Sequence, residues 1–257
     1  MDGRFGSALR SFPSPMSNPF IDKLQGVVPL SGQDRSAIMS LCADVRSLPA
    51  NTHFVRRGVV PRHVHLILEG WAASYQLLVD GSRQITAFLL PGDLCDQYVQ
   101  VLGEMDHSIY TITDATVAYL PLGELDRVAS ERPHIARALW WSTLEDESIM
   151  RAWLVSIGRR DAYAAISHLL CELHARLWNI DLVGDHHFAL PLTQEEIADA
   201  LGLTAVHVSR MLKRLRQEGL VTLTRRILTI PDVAKLRAVA GFNEAYLNAR
   251  RRAEASR

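Results

Sequence analysis

Cysteine is scarce. The 257 residues hold three, Cys42, Cys95 and Cys171, far apart and odd in number. That excludes a disulfide framework, a paired-cysteine metal knuckle and a four-cysteine iron–sulfur cluster. The expectation is a reduced, cytoplasmic chain with no membrane association. No run of 18 apolar residues occurs, which argues against a membrane-spanning helix. The first twenty residues hold Arg4, Arg10 and three prolines but no apolar stretch of a secretory signal. An excess of either charge is also missing. Lys plus Arg number 28 and Asp plus Glu 28, which excludes a uniformly basic coat and an acidic disordered chain.

The neutral total hides a polarity. Residues 1–132 carry 11 basic and 14 acidic side chains, and residues 133–257 carry 17 and 14. Within the second half, 181–199 holds five acids and no Lys or Arg, whereas 204–226 holds six bases and one acid. Any polyanion contact is therefore expected on one local surface.

The length suggests two domains. Residues 1–18 are rich in Ser, Pro and Gly and read as a disordered lead. A short helix is expected after Ser31. Between about 50 and 122 the texture is short apolar runs, at 64–68, 72–79, 84–90 and 109–120, with Asp80-Gly81 as a hairpin signal. Strands at this spacing suggest a small barrel or sandwich. After Arg132-Pro133 about 25 residues are helical in pattern, with Pro133 suited to the first turn. Leu139, Ser142, Asp146, Ile149 and Trp153 fall near a 3.5-residue repeat, which suggests a partner helix. A second helix over 162–178 and an exposed loop at His186-His187 follow.

The densest chemistry lies beyond. Thr193 followed by Glu196 forms a capping box, and Gly202 supplies a left-handed stop. Thr204 then caps a second helix, on which Val208, Met211, Leu212 and Leu215 make one apolar stripe. The opposite face holds Val206, Arg210, Lys213 and Gln217, flanked by Ser209 and Arg214. Two short helices joined through a glycine turn, the second exposing bases and small polar groups, form a helix-turn-helix. Residues 219–224 and 227–230 around Arg225-Arg226 read as a two-stranded wing with a basic tip, placed for phosphates. Thr193, Thr204, Val206, His207, Ser209, Arg210, Lys213, Arg214, Arg225 and Arg226 are the candidate DNA contacts.

Over residues 20–231 the chain resembles the Crp/Fnr bacterial transcription regulators. The resemblance rests on the strand-rich module ending in Leu90-Pro91-Gly92-Asp93-Leu94, the long helix after Pro133, and the run from Leu192 to Arg210. It implies an α+β chain: a jelly-roll-like β-roll sensor at 19–132, a dimerisation helix at 133–158, a winged helix-turn-helix at 159–235 and a C-terminal helix or tail at 236–257. It implies a homodimer on a palindromic double-stranded DNA operator, with RNA polymerase as a further partner. The family usually has a glutamate where this chain has Val206. Glutamate accepts from cytosine N4, whereas valine offers only apolar contact, so the half-site is expected to differ there. Shelter of Val206 under the preceding helix is the competing reading. Arg210 matches the family arginine, whose geometry suits guanine O6 and N7.

In cyclic-AMP-binding relatives a glutamate and an Arg-Ser pair hold the ribose and phosphate. Here Gln97 and His107 fall near those places, beside Ser108, and the arginine is missing. With Asp93, Asp96 and Asp106 close by, a phosphate meets repulsion, and no cofactor is expected. Haem ligation by Cys95, His107 or His63 stays open, as do redox roles for Cys95 and Cys171. His63, His65 and Glu69 share one strand face in a spacing that looks like the first metal motif of cupin enzymes, but the second motif is missing. The plainer reading of these three is an outward polar strand surface, with no catalytic function.

Overall fold

The computed structural model describes residues 18–24, 27–95, 97, 103–184 and 186–247. The lead at 1–17 and the tail at 248–257 lie outside them. Two short helices come first among the described residues, α1 (Pro19–Leu24) and α2 (Gly32–Leu41). Ser31 caps α2, closing a capping box with Asp34.

Eight strands follow: β1 (Val45–Leu48), β2 (His53–Val55), β3 (His63–Glu69), β4 (Ala72–Leu77), β5 (Arg83–Leu89), β6 (Leu94–Cys95), β7 (Ser108–Thr111) and β8 (Ala115–Pro121). They form two antiparallel four-stranded sheets, ordered β1-β8-β3-β6 and β2-β7-β4-β5. The expected hairpin joins β4 to β5, and Gly81 takes a φ of 84° in its turn. Between the sheets lie Val55, Ile67, Leu89, Met105, Ile109 and Val117. Val64, Leu66 and Leu120 face the other way, onto α1, α2, α3 (Leu122–Glu131) and the start of α4 (Pro133–Arg159). The sequence pattern did not reveal α3.

Alternation along β3 puts His65 on the side of Ile67, between the sheets. The outward polar surface expected for this strand is therefore corrected. His65 is buried, its ring 4.6 Å from that of Tyr119 and 5.3 Å from that of Phe54. Burial holds its imidazole down to about 4, so it is neutral. Glu69 accepts from the Thr116 hydroxyl at 3.1 Å, beyond a bulge in the β3–β8 pairing. Among the described residues no three His, Cys, Asp or Glu side chains are grouped to hold a metal ion.

Helix α4 runs 27 residues, about 40 Å at 1.5 Å per residue. Its buried face carries Ile135, Ala138, Ser142, Glu145, Ile149, Trp153 and Ser156. The repeat through Ser142, Ile149 and Trp153 thus packs on the helix's own chain and is no partner seam. At 100° per residue the opposite face holds Trp140, Leu144, Leu154 and Val155, all exposed, with Met150 and Ile157 exposed on one flank.

Helix α5 (Ala162–Trp178) opens the second module. Then come β9 (His187–Ala189), α6 (Gln194–Leu201), α7 (Ala205–Gln217), β10 (Thr222–Thr224), β11 (Ile227–Thr229), α8 (Val233–Ala240) and a last 3-10 turn (Glu244–Leu247). The wing is a three-stranded sheet, β10-β11-β9, so His187 sits in a strand and not in a free loop. The boundary expected at 235/236 cuts α8, whose Leu236 is fully buried. One apolar cluster joins this module to the outer face of the β2-β7-β4-β5 sheet, from Trp71, Tyr75, Ile85 and Phe88 through Ile149 and Trp153 to Ile197 and Leu201.

A buried ionic junction ties the modules together. Gly92, at a φ of 90°, lets α1 approach, since a Cβ there would lie 2.7 Å from the Pro19 carbonyl oxygen. Next to it, Asp93 meets Lys23 Nζ at 2.7 Å and Arg176 Nη2 at 2.6 Å, and accepts from the Leu90 amide at 2.7 Å. Lys23 also lies 2.7 Å from Glu145 as an ion pair, outside hydrogen-bond alignment. Arg176 donates to the Phe88 carbonyl at 3.0 Å. Glu172 accepts from Trp153 Nε1 at 3.0 Å and from the Tyr246 hydroxyl at 2.8 Å.

Candidate nucleic-acid interface

Local chemistry fixes the two helices. The Thr193 hydroxyl accepts from the Glu196 amide at 3.1 Å, and Glu196 Oε2 takes the Thr193 amide at 2.8 Å and its hydroxyl at 2.9 Å. Gly202 ends α6 at a φ of 64°, a conformation that favours glycine. Thr204 then accepts from the His207 amide at 3.2 Å, opening α7. Val208, Leu212 and Leu215 are buried under α7, with Met211 half-buried beside them.

The outer face of α7 is as expected. Val206 is 61% exposed, which removes the reading that α6 shelters it. His207, Arg210, Lys213 and Gln217 are exposed and Ser209 is half-buried. Thr193 and Thr204 are exposed, but both hydroxyls serve as helix caps.

Charge pairing sorts the bases. Among the described residues Arg210, Lys213, Arg216, Arg225 and Arg226 form no ion pair with an acid. Arg214 differs: Nε meets Glu218 at 2.8 Å and the guanidinium lies 4.2 Å over the Tyr163 ring, whose hydroxyl also donates to Glu218. Arg214 is thus anchored to the protein on one flank of α7. Arg216, missed from sequence, stands unpaired on the other flank. Its place follows from helical spacing, because it lies 80° from Val206 on the side of Ser209.

At the wing tip Arg225 and Arg226 have φ of 50° and 64°, two consecutive left-handed residues joining β10 to β11. Asn-Gly is the favoured pair for such a turn, and a side chain there costs about 1–2 kcal/mol per residue. Arginine at both places leaves the tip strained, exposed and, among the described residues, without an ion-pair partner. R225N/R226G is expected to raise Tm by a few degrees and to weaken DNA binding about tenfold, with a shallower salt dependence. Thermal melts and salt titrations of binding check both signs.

Each of the three sensor candidates has a described partner outside the set. The Gln97 side chain bonds to Thr143 of α4 at 2.7 Å. His107 Nδ1 lies 2.5 Å from Asp106, and the Ser108 hydroxyl accepts from the Arg57 amide at 3.1 Å. No described bond joins Gln97 to either of the other two.

Two family models match, a cyclic nucleotide-binding domain over residues 45–132 and a Crp-like helix-turn-helix domain over 164–239. The nitrogen fixation regulation protein FixK of Bradyrhizobium diazoefficiens is 32% identical over 174 residues, 68% of this chain and 72% of that protein. The transcriptional activator protein FnrL of Cereibacter sphaeroides is 30% identical over 200 residues, 76% of this chain and 80% of that one. The solved structure of FixK2 from Bradyrhizobium japonicum superposes with a TM-score of 0.70 at 26% identity, covering 78% of this chain and 98% of that one.

Proposed function

Since this chain belongs to the Crp/Fnr family of DNA-binding transcription regulators, we propose that two copies read a palindromic operator, joined along the outward face of α4. The observation that carries this reading is the α7 face of Val206, Arg210, Lys213 and Gln217, exposed on a capped helix-turn-helix. The exposed apolar side chains of Trp140, Leu144, Leu154 and Val155 on α4 support the dimer, because a second copy of the same face covers them and two-fold symmetry gives one recognition helix per half-site. Arg210 reads a guanine, and Val206 makes apolar contact where the family commonly reads cytosine.

The reading extends to the sensor. It takes no cyclic AMP: the Gln97 side chain is bonded to α4, and the sequence places His107 where cyclic-AMP-binding relatives carry the arginine. No catalytic role is assigned to any residue. Among the described residues no helix is long and apolar enough to cross a membrane, and the cytoplasm, with RNA polymerase as partner, is the setting proposed.

Selection from randomised duplex DNA with the purified chain tests this. A palindrome with half-sites about one helical turn apart is expected, and enrichment of no palindrome overturns the reading. R210A is expected to lose about 1–3 kcal/mol of binding and to relax one guanine position in each half-site. Uniform weakening on every sequence would make Arg210 a phosphate contact instead.

A further inference from the structure

Helix α6 touches the sensor through polar groups at both of its ends. At its start, the Tyr110 hydroxyl of β7 donates to Glu196 Oε1 at 2.9 Å, while the other oxygen of that carboxylate caps the helix. Near its end, Arg83 Nε at the head of β5 meets Asp199 Oδ2 at 2.7 Å. Gln84 Nε2 donates to the carbonyl of Ala200 at 3.2 Å, a helix-terminal oxygen with no partner within the helix. The Arg83 guanidinium also lies 5.0 Å over the Tyr110 ring, so the two anchors brace each other. Tyr110 is buried, and burial with the Glu196 charge pushes its hydroxyl up, so it remains a donor at any working pH.

An eight-residue helix held at both ends, with Ile197 and Leu201 in the shared apolar cluster, is fixed in position and in roll. The Gly202 turn passes that orientation to α7. The DNA-facing side chains of α7 are exposed and take no part in these contacts, so sensor and DNA use different sides of the reading head. One base pair of operator spacing corresponds to a shift of about 3.4 Å and a rotation of about 34°. A small displacement of α6 on the sheet therefore changes which half-site spacing fits.

We propose that Tyr110, Arg83 and Gln84 of the sensor are positioning residues for DNA reading, which act through Glu196, Asp199 and Ala200 to fix the half-site spacing. This rests on the palindromic reading above. It adds a direct route from sheet to reading head, separate from the α4 seam.

The test compares wild type, Y110F, R83D and the charge swap R83D/D199R on palindromes whose centre is altered by up to two base pairs either way, and on a single half-site. Wild type is expected to prefer one spacing by about 30-fold, and R83D to flatten the preference to about threefold with half-site affinity unchanged. The swap restores the preference, and Y110F, which keeps the ring, falls between. A loss caused by misfolding alone would lower half-site affinity as well and would not be rescued by the swap. An unchanged spacing profile in R83D, or tighter binding of R83D to the preferred operator, overturns the proposal. If wild type enriches no palindrome, the failure belongs to the proposed function instead.

Discussion

L144E/L154E is expected to make the protein monomeric and to lower operator affinity about a thousandfold. Leu144 is 54% and Leu154 is 70% exposed on the protomer, so the fold itself does not need them. In a dimer each buried leucine contributes roughly 1.5–3 kcal/mol, and two copies of each face the seam. Glutamate forfeits that burial and brings four like charges to a two-fold axis, where desolvation makes them costly. Without the dimer each half-site is read alone, and the loss of the second recognition helix sets the drop in affinity. Light scattering and a binding titration measure both, and a melting temperature close to wild type separates this outcome from unfolding. A variant that stays dimeric would move the seam to another surface.

R176M should be the most destabilising of the changes considered. It leaves Glu172 without its cation and Asp93 with Lys23 alone, both carboxylates being essentially buried. Breaking one partner from a buried ion pair costs about 3–5 kcal/mol, or roughly 10 °C in Tm for a chain of this size. Asp146 beside the junction gives it a pH signature. Burial pushes its carboxyl up to about 7, with Lys23 opposing and Asp93 and Glu145 adding to the rise. A carboxyl that holds its proton more tightly when folded stabilises fully below about pH 4 and loses that contribution as pH rises toward 7. Asp93 runs the other way. Burial raises it, but Lys23 and Arg176 outweigh burial and hold it below the usual range, so its contribution is lost only in stronger acid. D146N is therefore expected to melt progressively above wild type between pH 5 and 8, with little difference near pH 4. A constant difference across that range would remove Asp146 from the titration.

How much was legible follows from the range of each interaction. The reading head was written in adjacent residues, Thr193 with Glu196, Gly202, Thr204 and the 208–215 stripe, because caps and turns are local chemistry. The β4–β5 hairpin was legible for the same reason. The face of α4 was not. Both sides of that helix carry large apolar residues, and a 3.5-residue repeat runs along either, so only packing decides that Ile149 and Trp153 go inward. Alternation placed His63, His65 and Glu69 on one side of a strand, but a period of two does not say which side is the interior. The ionic junction joins residues 70 and 83 positions apart, and the Arg83 and Gln84 contacts span 116. Neither leaves a mark in any short window of sequence. The charge of Arg214 alone points to DNA, whereas its anchor Tyr163 stands on another helix, 51 positions earlier in the chain.

The apolar cluster that runs from Trp71 and Phe88 to Ile197 and Leu201 limits how such a chain can be recombined. A junction drawn at residue 160, between the long helix and the reader, looks convenient in the linear order of parts. It would strip the cover from Tyr75 and Ile85 on one piece and from Ile197 on the other. Replacing the sensor with a foreign one, by design or by gene fusion, therefore requires a donor sheet that presents an apolar outer face with a tyrosine and an arginine over the first reader helix.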